Sequence, residues 1–314
     1  MRIQNLVIVT NGTIALQLAI KALRLQGEII TTPFTWIATA SAIRWQDCVP
    51  VFVDIDPETF NIDPEKIEDA ITDRTCALMP VHVFGNPCEV EKIEKIARRH
   101  HLKVIYDAAH AMCVDYEGKS ILEYGHISAT SFHATKIFNT GEGGACVTGD
   151  KDLFERLRRL RFFGHNDAKD IVDEGCNGKM TEVHAALGLA NLPYQDAVLK
   201  KRRAIFERYF ENLKGVDVSR FQKFDREAYN YSYMPLVFDS EKRLLQVQAE
   251  LNKNNIFPRR YFYPSLNTVK AVAPYRPMPL AENLAQRILC LPSHNRLPME
   301  TVDFISNVIV QSSP

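Results

Sequence analysis

Short, almost continuously apolar runs alternate with helical patterns through the first half of this 314-residue chain. Runs of this kind are typical of parallel strands that are buried on both faces of a sheet. The helical patterns cover residues 13–25, 64–71 and 91–101, and Asp63 is the expected N-cap of the second. The order β-α-β-α predicts a three-layer α/β domain. The predicted strands comprise residues 6–10, 49–55, 77–84, 103–107, 127–132 and 145–148.

The pattern changes near Tyr194. A charged helical stretch covers residues 196–213, strand candidates lie around 231–238, and a helix over 241–254 precedes a proline-rich segment over 258–298. These features predict a smaller α+β domain that follows the first one. The predicted domains are therefore a large domain over residues 1–195 and a small C-terminal domain over residues 196–314.

The charge balance argues against nucleic acid or a membrane surface as a partner, because 38 Lys and Arg residues offset 38 Asp and Glu residues. Seven scattered cysteines without C-x-x-C spacing indicate reduced thiols, and neither a disulfide framework nor a metal site is predicted. No apolar stretch is long enough for a membrane span, and the N-terminus does not resemble a signal peptide. We therefore expect a cytoplasmic protein that acts on small molecules.

Asp107 stands at the carboxyl end of the apolar run 103–107. Ligands of open α/β sheets gather at the carboxyl ends of strands, so this position suits a site. A buried carboxylate there needs a cationic partner, which a protonated pyridine ring would supply. The same residue also suits the N-cap of a helix that begins near Ala108. Considered alone, the residue leaves both interpretations open.

Lys136 ends the stretch that begins at Ser131, and it precedes a glycine-rich turn over residues 140–144. The five-residue separation allows the serine hydroxyl to meet a phosphate while the lysine amine meets an aldehyde. A lone lysine is usually solvated at the surface. Together with Asp107, however, it meets the needs of pyridoxal 5'-phosphate, since the lysine binds the aldehyde covalently and the carboxylate keeps the ring nitrogen protonated. We therefore predict this cofactor.

Two further segments suit such a cofactor. Gly12 and Thr13 lie between a predicted strand and the following helix, where free N–H groups and a hydroxyl can bind a phosphate. An ordinary glycine turn explains the same residues, because short glycine motifs are weak signals. Trp36 follows an extended segment and can stack on a flat ring. A tryptophan of the hydrophobic core is the other interpretation.

Several short motifs follow one another along the chain at compatible spacings. They are Asn11-Gly12-Thr13-Ile14-Ala15-Leu16, Pro50-Val51-Phe52-Val53-Asp54-Ile55, Pro80-Val81-His82-Val83-Phe84-Gly85, Asp107-Ala108-Ala109-His110, Ser131-Phe132-His133-Ala134-Thr135-Lys136, Thr140-Gly141-Glu142-Gly143-Gly144 and Asn177-Gly178-Lys179-Met180-Thr181-Glu182. In this order they resemble the DegT-type sugar-nucleotide aminotransferases, a fold type I pyridoxal phosphate family. The resemblance covers about residues 9–192 and is weaker beyond them.

The resemblance implies an aspartate aminotransferase-like fold and the transfer of an amino group from glutamate to a keto-sugar nucleotide. It also implies a homodimer with shared active sites. Lys136 and Asp107 would be catalytic, the first bonded to the cofactor and the second paired with the pyridine nitrogen. The other implied contacts are Trp36 and Ala109 at the ring, His110 near the cofactor hydroxyl, Gly12, Thr13 and Ser131 at the phosphate, and Asn177 at the phosphate of the neighbouring subunit.

The chain departs from the family pattern in three places. His110 replaces a glutamine, and its imidazole can still form a hydrogen bond near the cofactor hydroxyl. Gly178 and Lys179 replace an aromatic–arginine pair, which leaves the intersubunit contacts open. The chain also begins almost at the first predicted strand, whereas relatives carry a further segment that helps to build the dimer and the substrate entrance. Absence of that segment would lower stability or activity.

Within the family, residues 27–33, 105–111 and 177–180 most resemble the enzymes that make dTDP-4-amino-4,6-dideoxyglucose. This favours amination at C4 of dTDP-4-dehydro-6-deoxyglucose, which gives an amino sugar for surface polysaccharide or glycoconjugate synthesis. The nucleotide, the choice of C3 or C4 and the stereochemistry of the amine stay open. The residues that could meet the nucleotide diphosphate, unless they form a charged surface strand, are Arg259, Arg260, Tyr261 and Tyr263.

Two other functions fit parts of the sequence. A pyridoxal phosphate-dependent sugar dehydratase of the same family is the first, but such relatives carry histidine in place of the lysine, so Lys136 counts against it. The second is a catalytically idle sensor that keeps the fold, for which the short N-terminus is the only support.

Overall fold

The computed structural model describes residues 3–216, 219–225 and 228–312. The strands are β1 (Leu6–Val9), β2 (Glu28–Thr31), β3 (Val49–Phe52), β4 (Thr75–Leu78), β5 (Lys103–Asp107), β6 (Asp115–Tyr116), β7 (Lys119–Ser120), β8 (Ile127–Ser131), β9 (Gly144–Val147), β10 (Ser219–Phe221), β11 (Met234–Phe238) and β12 (Ile288–Leu291). The α-helices are α1 (Gly12–Ala22), α2 (Ile37–Trp45), α3 (Val90–Arg99), α4 (Lys151–Leu160), α5 (Glu182–Asn191), α6 (Gln195–Asn212), α7 (Glu241–Lys253), α8 (Pro279–Arg287) and α9 (Met299–Gln311).

A seven-stranded sheet in the order β1-β9-β8-β5-β4-β2-β3 organises the N-terminal part. Strand β9 is antiparallel to both of its neighbours, and the pairs among β8, β5, β4, β2 and β3 are parallel. In the pairing of β5 with β8, Asp107 lies opposite Ala129. Because the two strands are parallel, their carboxyl ends meet at the same edge of the sheet. This edge carries the candidate site.

Helices cover both faces of this sheet. On one face, Leu16 of α1, Ile43 of α2 and Leu157 of α4 are buried in a single apolar cluster with strand residues. On the other face, α3 buries Ile93 and Ile96, which follow the three-residue step of an amphipathic helix. Each fully buried side chain of this size stabilises the fold by about 1.5–3 kcal/mol. The predicted three-layer α/β architecture is confirmed.

The C-terminal part is a smaller α+β unit, as predicted. Strands β10, β11 and β12 form an antiparallel sheet, and helices α6, α7 and α9 bury apolar side chains against it. An aromatic cluster joins this part to the seven-stranded sheet. The ring of Phe262 lies 5.5 Å from that of Phe34 and 5.4 Å from that of Phe84, measured between centroids. The division of the chain at residue 195 stays a prediction.

Several predicted elements differ from those observed. The predicted helix over 64–71 is a pair of 3₁₀ turns, Pro64–Lys66 and Glu68–Ala70, although Asp63 does cap the first by accepting a hydrogen bond from the N–H of Glu65. The predicted strand over 77–84 is observed as Thr75–Leu78. Beyond it, Val81 forms an isolated bridge with Asp107, and the chain then turns through Phe84, whose φ is 59°. The proline-rich segment contains both α8 and β12.

Among the described residues of the N-terminal part, the strands β2, β6 and β7 and the helices α2, α4 and α5 were not predicted. Strands β6 and β7 have only two residues each, and α2 follows Trp36, an N-cap residue without a side-chain hydrogen bond to the helix, so these elements carry a weak local signal. None of the helices in the described part of the chain is long and apolar enough to span a bilayer. All seven cysteines are free thiols.

Candidate active site

A cavity of about 390 Å³ lies at the edge of the sheet where β5 and β8 end, beside the N-terminus of α1. Sites for small molecules typically measure about 300–1,000 Å³. Residues from the C-terminal part complete its wall. The predicted site residues that line it are Gly12, Thr13, Trp36, Asp107, Ala109, His110, Ser131 and Lys136.

Asp107 is buried at the end of β5, with 4% of its surface exposed. Its Oδ2 accepts a hydrogen bond of 2.7 Å from Thr39 Oγ1, and its Oδ1 accepts one of 3.1 Å from the N–H of Ala109. The Thr39 hydroxyl lies 2.8 Å from that of Thr35, at the start of α2. Burial raises the pKa of Asp107, whereas these hydrogen bonds and the Lys136 amine lower it. The residue closes a turn and begins no helix, so the N-cap interpretation is wrong.

Lys136 reaches the same cavity from the loop between β8 and β9. Its backbone N–H donates to the carbonyl of His133 at 2.8 Å, which closes a turn. Its Nζ donates a hydrogen bond of 3.1 Å to the hydroxyl of Tyr233. Burial lowers the pKa of Lys136 to about 8, although the nearby Asp107 acts in the opposite direction. A substantial fraction of the amine is therefore neutral at mildly alkaline pH.

The start of α1 and the end of β8 form a narrow cradle. Asn11 caps the helix by accepting a hydrogen bond of 2.9 Å from the N–H of Ile14. The first N–H groups of any helix have no partner within the helix, so those of Gly12 and Thr13 can serve an anion. A Cβ atom on Gly12 would lie 2.9 Å from the Cβ of Ser131. Only glycine leaves this gap open.

Trp36 is 57% exposed, so its interpretation as a core residue is wrong. Its ring meets Tyr261 edge to face, with 6.1 Å between centroids and 87° between planes. The exposed indole lines the cavity, where it can stack on a flat ligand. Ala109, which is small enough to leave room for a ring, lines the same cavity.

His110 is buried and lies in a stack of aromatic rings. Its plane is within 8° of that of Phe84 and within 5° of that of Phe262. Its Nδ1 accepts a hydrogen bond of 3.2 Å from the N–H of Phe84, which puts the proton of the neutral ring on Nε2. Burial, together with the charge of Lys136, holds the pKa of His110 well below its ordinary value. His110 is therefore a neutral hydrogen-bond donor, and its contact with the cofactor hydroxyl stays a prediction.

Some residues that the sequence assigns to the site do not line this cavity. Asn177 is exposed and does not line it, so a role toward another subunit stays a prediction. Arg260 forms a salt bridge of 2.7 Å with Glu241, and its guanidinium lies 3.7 Å from the ring of Tyr263. Of the four residues considered for a nucleotide diphosphate, Tyr261 lines the cavity.

Three polar residues that the fold brings to the site were not predicted from the sequence. Thr35 and Thr39 support Asp107, and their separation of four residues, about one helical turn, was the available signal. Tyr233 lies in the region predicted as a strand. Tyrosine is common in strands, so its presence there does not indicate a functional role. Its contact with Lys136 joins residues that are distant in sequence, so no local pattern indicates it.

The donor set fits pyridoxal phosphate. The cradle at Gly12 offers N–H and hydroxyl groups to a phosphate, and Lys136 offers an amine to the aldehyde. The hydrogen-bond donors that meet the Asp107 carboxylate, Thr39 and Ala109, are both neutral. A buried carboxylate in this state has capacity for a cation such as a protonated pyridine ring.

Comparison with known proteins agrees with this chemistry. Residues 1–310 match the family model described as the DegT/DnrJ/EryC1/StrS aminotransferase family. The chain belongs to this family. It is a pyridoxal phosphate-dependent sugar aminotransferase, and the predictions of family, fold class, enzyme class and cofactor are confirmed.

Individual relatives of this aminotransferase cover nearly the whole chain. A dTDP-4-amino-4,6-dideoxy-D-glucose transaminase of Shigella dysenteriae is 42% identical over 305 residues, which are 95% of this chain and 83% of the relative. A GDP-perosamine synthase of Escherichia coli O157:H7 is 34% identical over 98% of this chain and 85% of the relative. The solved structure of DesI in the presence of its TDP-sugar product has a TM-score of 0.93 at 34% identity, over 98% of this chain and 80% of that one.

Proposed function

We propose that this aminotransferase transfers an amino group from glutamate to C4 of dTDP-4-dehydro-6-deoxyglucose and so makes an amino-deoxy sugar nucleotide for polysaccharide or glycoconjugate synthesis. The 42% identity to a dTDP-4-amino-4,6-dideoxy-D-glucose transaminase carries the choice of substrate. The free state of all seven cysteines is typical of a reducing compartment, which supports the cytoplasm as the place of this reaction.

Lys136 would bind the cofactor in the resting enzyme and later move the proton. Bound pyridoxal phosphate supplies an aldehyde that captures amines and a ring that takes up the negative charge left when a proton is removed. Once glutamate has displaced it, the Lys136 amine is free within the same cavity. Because burial lowers its pKa to about 8, neutral amine is available to accept the proton from Cα of glutamate. The amine would then release this proton to the cofactor, and in the second half of the reaction it would move a proton from the cofactor to the sugar carbon.

Asp107 would hold the ring nitrogen in its protonated form. The carboxylate is fixed by Thr39 and Ala109 and needs no movement to meet a cation at this point. Gly12, Thr13 and Ser131 would bind the phosphate through N–H and hydroxyl groups of the cradle. Together these contacts set the orientation of the ring relative to Lys136.

We further propose a homodimer. Helix α5 is apolar but barely buried, since Val183 is 78% exposed and Leu189 70% exposed. Large exposed apolar patches are typical of protein interfaces. The helix packs next to the glycine-rich turn of the site, where a Cβ on Gly188 would lie 2.7 Å from Thr140 Cγ2. A second copy seated on α5 would therefore lie close to the active site, and Asn177 would serve the cofactor phosphate of that copy.

The dimer proposal predicts that Leu189→Glu dissociates the protein. A charge buried against the apolar surface of a second subunit costs several kcal/mol unless it is paired. We expect light scattering after size exclusion to give the 35.8 kDa of one chain for this variant and about twice that mass for the unchanged protein. Leu245→Glu is the matched control, because Leu245 is 46% exposed on α7. A dimeric Leu189→Glu variant would contradict the assignment of this surface.

The substrate proposal is tested with a panel of keto-sugar nucleotides. Protein that glutamate has converted to the pyridoxamine phosphate form is mixed with the dTDP-linked 4-keto-6-deoxy sugar, its GDP-linked counterpart or a dTDP-linked 3-keto sugar. We expect kcat/KM for the first to exceed the others by at least about tenfold, because a site built for one set of hydrogen bonds rejects analogues that leave its polar groups unpaired. Mass spectrometry and NMR of the products give the position and orientation of the amine. A preference for the GDP-linked or 3-keto sugar would contradict the proposal.

A further inference from the structure

Tyr233 lies in the wall of the cavity, immediately before β11 of the C-terminal part. Its hydroxyl accepts a hydrogen bond of 3.1 Å from Lys136 Nζ. The same Nζ is 5.7 Å from the centroid of the phenol ring, so the amine meets the hydroxyl edge and does not lie over the ring face. Within the described part of the chain, the Tyr233 hydroxyl is the hydrogen-bond partner of Lys136 Nζ.

The phenol is held firmly by its surroundings. The hydroxyl of Tyr229 donates a hydrogen bond of 3.2 Å to the backbone carbonyl of Tyr233. The ring packs against His110 and Phe84, with centroids at 4.7 and 5.3 Å, and meets Tyr261 nearly at right angles. Supporting contacts of this kind fix a functional group near one geometry. The Tyr233 hydroxyl is therefore preorganised toward the amine.

We propose that Tyr233 is a positioning residue that holds the Lys136 amine whenever this amine is not bonded to the cofactor. The inference rests on the proposed role of Lys136. A phenol hydroxyl accepts a hydrogen bond from an ammonium group and donates one to a neutral amine, so it can hold both states without moving. Lysine has a long flexible stem, and one fixed partner restricts the freed amine to a small part of the cavity.

Tyr233 is not itself the base. Burial raises the pKa of its phenol far above the ordinary value, so the hydroxyl keeps its proton over the working pH range. Loss of this hydroxyl would remove the hydrogen-bond acceptor of the amine. The charged form of Lys136 would be destabilised more than the neutral form, because charge-assisted hydrogen bonds are stronger than neutral ones. The other titratable groups around the amine are Asp107, His110, His133, Glu142 and Tyr261.

The substitution Tyr233→Phe removes the hydroxyl and keeps the ring, and the bond from Tyr229 is unaffected because it ends on the backbone. The first measurement uses the full chain without cofactor, in which acetylation of Lys136 by acetic anhydride is followed against pH by mass spectrometry. The hydroxyl stabilises the charged form of the amine more than the neutral form, so we expect the pKa of Lys136 to fall by at least about one unit in the variant.

The second measurement follows the reaction of the cofactor-loaded protein with glutamate alone. We expect kcat for this half-reaction to fall between about 10-fold and 100-fold, with little change in KM. The primary isotope effect with C2-deuterated glutamate should increase, because proton transfer becomes slower relative to the other steps. A merely structural role for Tyr233 would move neither the isotope effect nor the pKa of Lys136.

The exposed Tyr275 provides the matched control, since Tyr275→Phe removes a hydroxyl outside the cavity and should leave all these values unchanged. An unchanged Lys136 pKa together with an unchanged isotope effect in Tyr233→Phe would overturn the inference. The outcome is separable from that of the proposed function. Failure of the proposed role of Lys136 appears in Lys136→Ala, whatever Tyr233→Phe shows.

Discussion

Replacement of Lys136 by alanine should abolish the covalent attachment of pyridoxal phosphate and nearly all transamination. The variant removes the amine that binds the cofactor and the base that moves the proton, and general acid–base catalysis alone is worth about 10²–10⁴-fold. We expect the glutamate half-reaction to slow by at least about 10³-fold. Borohydride reduction followed by mass spectrometry should no longer find the cofactor on this peptide, and the visible absorbance of the lysine-bound cofactor should disappear.

A control variant separates this loss from a general effect of removing a lysine. Lys151, the first residue of α4, is exposed and lies outside the cavity, so Lys151→Ala should keep both absorbance and rate. Near-normal turnover of Lys136→Ala, or covalent cofactor on another lysine, would contradict the assignment. Complete loss of the absorbance without any effect of glutamate on the unchanged protein would instead favour a catalytically idle protein.

The two central residues of the site could be predicted because their local positions constrain them strongly. Asp107 ends an apolar strand, and the carboxyl ends of parallel strands collect ligands in this class of fold. Lys136 follows a second such strand by a short turn, and the parallel pairing of β5 with β8 brings the two together. The positions of Asp107 and Lys136 are each indicated by local sequence. The one tertiary contact needed to bring them together is the pairing of β5 with β8.

The supporting residues could not be predicted in the same way. Helix α2, which carries Thr39, has no side-chain cap, and its sequence includes β-branched residues that weaken helix propensity. It is stabilised by packing, since Ala42 and Ile43 are fully buried. Tyr233 reaches Lys136 only after the C-terminal part has packed against the sheet through the aromatic cluster. Such tertiary contacts leave no periodic signal in the sequence.

The electrostatics of Lys136 and Asp107 explain why the cofactor suits this cavity. Burial lowers the pKa of Lys136 and raises that of Asp107, so both residues would be more stable uncharged than they are in water. A ligand with a cationic ring nitrogen favours the charged form of Asp107. A ligand with an aldehyde consumes the neutral form of Lys136. Binding of the cofactor therefore offsets the unfavourable burial of the two ionisable side chains, Lys136 and Asp107.

The substitution Asp107→Asn should leave the cofactor attached to Lys136 and remove most of the turnover. Asparagine has nearly the same shape, but it carries no charge and can donate hydrogen bonds where the carboxylate only accepts them. Without the negative charge, the ring nitrogen is no longer held in its protonated form and takes up charge poorly. Removal of one electrostatic contact in such sites costs about 10²–10³-fold, and we expect a fall of this order in the glutamate half-reaction.

The matched control for this variant is Asp54→Asn. Asp54 is also buried, and it accepts hydrogen bonds from the N–H groups of Leu280 and Ala281, outside the cavity. Its replacement should lower the unfolding temperature while the rate stays within about twofold of the unchanged protein. The decisive comparison is the spectrum against pH, because only Asp107→Asn should shift the pKa of the ring nitrogen downward. A near-normal rate in Asp107→Asn would show that the ring needs no carboxylate partner in this enzyme.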